Sequence, residues 1–214
     1  GTGYVAGVPG GRETFSEIAA GNIRAQRFSL NDKWVPWYNI HKLYAGLRDA
    51  YLYTGNRKAK DVLVRLSDWA VSLSGQLTED QFHEMIIAEY GGMNEVLADV
   101  YAFTGKKKYL EVAQRFNDPR VFPPLANGVD SLAGLHANTQ IPKIIGAARI
   151  YELTGIDRLK TIATFFWHTV VENRTYANGG NSENEHFGEL GTLDEWLSKV
   201  TSESCNTYNM LKLT

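Results

Sequence analysis

The 214-residue chain sets 22 Lys and Arg against 24 Asp and Glu, a net charge near −2, so it offers no basic excess for nucleic acid or an acidic membrane surface. No run approaches the roughly 18 consecutive apolar residues of a membrane-spanning helix. With 43% hydrophobic residues the chain can bury a substantial core in one domain, and its single cysteine, Cys205, excludes an internal disulfide. Aromatics reach 12%, including five Trp and eleven Tyr. Such rings pack between helical layers, or serve as flat apolar platforms for sugars.

In chain order, the first thirty residues read as a loop carrying one short helix over 14–22, with Thr14 and Glu17 in capping-box spacing. The opening Gly1-Thr2-Gly3-Tyr4-Val5 has neither the basic start nor the apolar run of a signal peptide. A repeat follows. Tyr51-Leu52-Tyr53-Thr54-Gly55 returns as Tyr101-Ala102-Phe103-Thr104-Gly105 and again as Tyr151-Glu152-Leu153-Thr154-Gly155, a period of 50 residues. Each copy ends an apolar helical stretch (43–52, 96–103, 144–153), and a second stretch follows it (58–73, 107–116, 158–171). The shared glycine supplies the left-handed residue that stops the first helix. The unit is therefore a helical hairpin, and the fold class expected is all-α, a partial (α/α)6 barrel of hairpins repeating every 50 residues. Residues 204–214 read as the opening of a fourth inner helix. Residues 1–214 are thus expected to form a single incomplete barrel domain, truncated on its C-terminal side and at its N-terminus. Its open edge could support self-association.

Polar residues at the starts of the inner helices are candidates for a site. The first helix is preceded by Trp34-Val35-Pro36-Trp37-Tyr38-Asn39-Ile40-His41, the second by Glu89-Tyr90-Gly91-Gly92-Met93-Asn94-Glu95 and the third by His136-Ala137-Asn138-Thr139-Gln140-Ile141-Pro142-Lys143. His41 alone also fits a satisfied core histidine. Asn94 and Glu95 also fit a helix start that complements the dipole. Yet one repeat earlier and later the same slots hold Tyr44 and Ala45, then Ile144 and Ile145, so a carboxylate there suggests a polar cavity. Pro142 suits a first-turn position capped by Asn138 or Thr139. His136 and Gln140 share a face if the helix reaches back to His136, as a clamp for sugar hydroxyls. After the third hairpin, Gly179 and Gly180 permit a tight turn, and Glu183, Glu185, His186 and Glu189 crowd into seven residues. Such crowding can keep a general acid protonated; it also fits a solvated acidic loop. Glu203 and Cys205, two apart, could supply two corners of a zinc site.

Five blocks taken together resemble the β-L-arabinofuranosidase group, glycoside hydrolase families 127 and 146. They are Pro36-Trp37-Tyr38-Asn39-Ile40-His41-Lys42, Gly91-Gly92-Met93-Asn94-Glu95, His136 through Lys143, Gly179-Gly180-Asn181-Ser182 with Glu185 and Phe187, and Glu203-Ser204-Cys205-Asn206. The resemblance spans residues 3 to 214. It implies an (α/α)6 barrel followed by β-sandwich domains, and retaining hydrolysis of terminal β-L-arabinofuranosyl groups by a cysteine thiolate with a glutamate acid/base. It implies zinc held by one glutamate and three cysteines. By that match Glu185 is the acid/base and Glu203 and Cys205 are zinc ligands, while His41, Asn94, Glu95, His136 and Gln140 fall in substrate-binding blocks. Cys205 does not match the nucleophile, which is expected beyond Thr214, so residues 1–214 alone are expected to be inactive. The partner implied is an L-arabinose-containing oligo- or polysaccharide, and a periplasmic or secreted location is favoured over the cytoplasm. Two other readings stay open: a different carbohydrate-active enzyme on the same barrel, such as a sugar epimerase or unsaturated glucuronyl hydrolase, and a non-catalytic helical-repeat scaffold.

Overall fold

A computed structural model, which describes residues 1–214, contains ten helices and one three-stranded sheet, and three pairs of the helices follow the repeat. The chain forms two compact units, Gly1–Asp118 and Pro119–Thr214. No helix is long and apolar enough to cross a membrane.

The first unit opens with α1 (Gly11–Ala19), then β1 (Ala25–Gln26), β2 (Ser29–Leu30) and β3 (Lys33–Trp34). The strands form an antiparallel meander in the order β1-β2-β3, where the sequence suggested only loop. Asn31 and Asp32 both take positive φ between the paired Leu30 and Lys33, as a type I′ hairpin turn requires. The buried Asn31 side chain ties this turn to the end of α1. Its Nδ2 donates to Asn22 O at 2.8 Å and to Glu17 Oε2 at 3.0 Å.

Two helical hairpins follow, α2 (Pro36–Thr54) with α3 (Arg57–Ser74) and α5 (Met93–Thr104) with α6 (Lys107–Arg115), joined through the short α4 (Glu79–Met85). α2 packs on α5 and α3 on α6, so the unit has two helical layers. In α5, all of Met93 to Ala98 is buried, as befits a helix enclosed by neighbours; α3 and α6 bury one face each. Most of the aromatic surplus lies between these layers. Trp37 sits edge-on to Phe15 at 5.2 Å and to Phe116 at 5.2 Å, and 5.5 Å from Trp69.

In the second unit, α7 (Phe122–Ala126) precedes the hairpin of α8 (Ala137–Thr154) and α9 (Asp157–Asn173), and α10 (Ser204–Leu213) packs on α8. Its core joins Phe122, Ile141, Ile144, Phe166, Phe187 and Met210. Gly55, Gly105 and Gly155 end α2, α5 and α8 with φ of 69°, 70° and 70°, as the repeat demanded. Two expectations are corrected. The first helix runs over Gly11–Ala19, not 14–22, and Thr14 lies inside it, its Oγ1 donating to Gly10 O at 3.0 Å and capping nothing. Pro142 is not in a first turn capped by Asn138 or Thr139: α8 begins at Ala137 with His136 as its N-cap, and Pro142 lies inside the helix. The chain there is drawn back by the pairing of His136 with His186, and by the Ala137 N–H, which donates to Glu185 O at 2.7 Å.

Candidate active site

The sequence-predicted residues fall in two clusters, one in each unit. In the first, His41 and Glu95 meet the glycine pair before α5. His41 lies in the second turn of α2, buried, with Tyr38 edge-on to its ring at 5.9 Å. A Cβ on Gly91 would overlap His41 Nδ1; one on Gly92 would come 3.0 Å from His41 Nε2 and 3.3 Å from Glu95 Oε2. The paired glycines thus exist so that an imidazole can lie against bare backbone. Gly91, at φ 60°, is further held by its N–H, which donates to Glu89 Oε1 at 2.8 Å. Asn94 is fully buried and its Oδ1 accepts from the Glu95 N–H at 3.0 Å. Glu95 is paired with Arg48 at 3.0 Å, and Arg48 also reaches Asp99 at 2.8 Å. The out-of-pattern carboxylate is therefore neutralised from α2, a cost-saving arrangement for a charge in so dry a slot.

In the second unit, the loop from Tyr176 to Ser202 folds back on the start of α8. Ser182, Asn184 and Glu185 all take positive φ (88°, 44° and 67°), conformations that cost non-glycine residues energy and concentrate at functional sites. The surroundings enforce them. Phe187 N–H donates to Leu135 O at 3.0 Å and Gly134 N–H to Phe187 O at 2.8 Å. Buried Arg174 pairs with Asp130 at 2.6 Å and also donates to Gly188 O. The result sets Glu185 Oε2 3.2 Å from His136 Nε2, with the imidazole buried and the carboxylate 48% exposed. The neighbouring acids differ: Glu183 accepts from Ser198 Oγ at 2.9 Å. Of the four crowded groups, the geometry gives Glu185 a buried imidazole partner while leaving its carboxylate open to a ligand.

Gln140 sits one turn along α8, its Nε2 donating to Thr139 Oγ1 at 2.8 Å and its Oε1 accepting from Lys143 Nζ at 3.3 Å. Lys143 is 2% exposed and was not singled out from the sequence. The signal was there, since its repeat equivalents are Leu43 and Met93, the same anomaly that marked Glu95. Ser182 and Asn206 were missed as well. Asn206 Nδ2 donates to Ser182 Oγ at 2.7 Å and Asn181 O at 3.1 Å, fixing α10 to the glycine loop.

At the start of α10, Cys205 Sγ lies 3.3 Å from Glu203 Oε2. Burial, then the hydrogen bond to Glu203 and its charge, push the Cys205 thiol up. Two acidic groups this close share a proton or a cation. Donors on one tetrahedral zinc, at about 2.3 Å to sulfur and 2.1 Å to oxygen, stand roughly 3.6 Å apart. The observed separation fits that donor pair with little adjustment. No third His, Cys, Asp or Glu joins them.

Comparison with known proteins identifies the family. The β-L-arabinofuranosidase, GH127 catalytic domain family matches residues 1–214. No curated protein matches the chain. Among solved structures, a GH127 β-arabinofuranosidase is similar at TM-score 0.62 and 20% identity, over 83% of this chain and 29% of that one. A GH127 β-L-arabinofuranosidase from Geobacillus stearothermophilus is similar at 0.60 and 20%, over 83% and 32%. A third structure, a glycoside hydrolase, is similar at 0.64 and 16%, over 95% and 39%. The chain thus spans about a third of the length of the structures it resembles, and it belongs to the GH127 β-L-arabinofuranosidase catalytic-domain family.

Proposed function

We propose that this chain is part of the (α/α)6 barrel of a retaining glycoside hydrolase that releases terminal β-L-arabinofuranosyl groups from arabinose-containing glycans. The observation that carries this is the Glu185–His136 pair, a half-exposed carboxylate held 3.2 Å from a buried imidazole by a strained loop. Glu185 acts as the acid that protonates the departing glycosidic oxygen, then as the base that takes a proton from the incoming water. His136 fixes its orientation through Nε2. His41, Asn94 and Glu95 of the first unit, and Gln140 of the second, are proposed to contact or shape the sugar. Glu203 and Cys205 would hold zinc with donors outside residues 1–214. That ion would supply the positive charge that keeps sulfur as thiolate. Cys205, the one cysteine present, is assigned to the metal and not to attack on the anomeric carbon, so the nucleophile belongs to the rest of the enzyme.

The test is Glu185→Gln in the whole enzyme, assayed by release of p-nitrophenol from p-nitrophenyl β-L-arabinofuranoside. A fall of at least about 100-fold is expected, because general acid–base catalysis supplies factors of that size. Activity within a few-fold of wild type would refute the assignment.

A further inference from the structure

Most tryptophans of the first unit are packed, but Trp34 is 75% exposed at the end of β3. It is not loose. Ser29 pairs with Trp34 across β2 and β3, and Phe28 lies behind its ring at 5.5 Å and 28°, a stacked pair. The Arg27 guanidinium covers Phe28 at 5.3 Å. The next residue, Val35, takes φ 35° as it leads into α2. A β-branched residue in the left-handed region is an outlier that only a fixed surrounding sustains. Val35 is pinned there, its N–H donating to Phe28 O at 3.1 Å while its own carbonyl accepts from the Asn39 N–H at 3.1 Å.

The fixed ring belongs to the same framework as His41. The Glu89 N–H donates to Arg27 O at 2.8 Å, and Glu89 in turn holds Gly91, on whose backbone the His41 ring rests. Along α2, His41 lies five residues beyond Pro36, about 7.5 Å of rise. Trp34 thus stands two residues before the helix that carries His41. Arg24, just before β1, pairs with Asp32 of the β2–β3 turn at 3.0 Å, both largely in water. A rigid, flat, apolar face matches the apolar C–H face of a sugar ring.

We propose that Trp34, backed by Phe28, is a stacking platform for a sugar ring of an arabinose-containing chain. The inference rests on the arabinofuranosidase reading for the identity of that chain. It is tested on residues 1–214 by affinity electrophoresis through gels containing soluble arabinan, with xylan and mixed-linkage β-glucan as comparison gels. Retardation by arabinan is expected, about tenfold weaker for Trp34→Ala and within about threefold of wild type for Trp34→Phe, which keeps most of the apolar face. Tyr53→Ala, removing another exposed aromatic of α2, should leave retardation unchanged. An unchanged far-UV spectrum for Trp34→Ala guards against loss of fold. Retardation of Trp34→Ala equal to wild type, or none of wild type by arabinan, overturns the platform and leaves the Glu185 test to judge the glycosidase reading. Trp34-dependent retardation confined to xylan or β-glucan overturns the ligand proposed here and counts against the arabinose reading as well.

Discussion

Replacing Gly91 by alanine isolates the contact that places His41. At φ 60° a Cβ brings left-handed strain of about 1–2 kcal/mol. It also overlaps His41 Nδ1 and comes 3.0 Å from Tyr38 Cδ2; the His41 ring is buried, so relief requires moving it, an overpacking cost of about 1–3 kcal/mol. The sum is about 2–5 kcal/mol. Gly105→Ala is the internal control. Its φ is 70°, yet an added Cβ meets nothing within 4 Å, so only the strain of about 1–2 kcal/mol applies. Urea unfolding of residues 1–214, followed by tryptophan fluorescence, gives both values from midpoint shifts at constant slope. Adding His41→Ala to each variant completes the comparison: it should recover about 1 kcal/mol or more of the Gly91→Ala loss and none of the Gly105→Ala loss. Equal destabilisation at the two glycines, or no rescue at Gly91, would refute the claim that the glycine pair is there to admit the imidazole.

Two further outcomes follow from the ion pairs. Arg174→Ala leaves the Asp130 side chain, only 9% exposed, without its cation and frees Gly188 O, and should cost about 3–5 kcal/mol in the same unfolding assay; a loss below about 1 kcal/mol would show that the loop bearing Glu185 is held by other means. Asp68 feels burial, which raises its pKa, but hydrogen bonds from Lys108 at 2.5 Å and Tyr109 at 2.7 Å outweigh it and hold the carboxyl below its usual 3.8. Its folded value being depressed, its contribution is present above about 3.8 and disappears as pH falls through the folded value. Asp68→Asn should therefore flatten the loss of stability below about pH 3.8 while leaving its slope near neutrality unchanged. An unaltered acid limb would remove Asp68 from the account.

The parts of the fold that were legible in the sequence are those set by local backbone demands. Gly55, Gly105 and Gly155 mark helix ends because a left-handed residue is needed there and glycine supplies it most cheaply. Helix starts were harder, since neither α2 nor α8 begins with a side-chain cap. Val35 enters α2 under strain, and His136 is fixed by pairing with a loop 50 residues later. The meander was invisible because each strand has two residues, too few for any period to register. The site divides in the same way. A repeat exposes a polar residue in an apolar slot by simple comparison, which found Glu95 and would have found Lys143. It cannot say what neutralises that residue, because the partner lies on another element: Arg48 for Glu95, 47 residues away. The loop bearing Glu185 shows the same limit from the other side. Three of its left-handed residues are Ser182, Asn184 and Glu185 and not glycine, so no sequence cue announces the turn that lifts one carboxylate out of three toward His136. The family blocks pick out Glu185 by resemblance; the buried imidazole and the strained backbone supply a physical reason why that carboxylate differs from its neighbours.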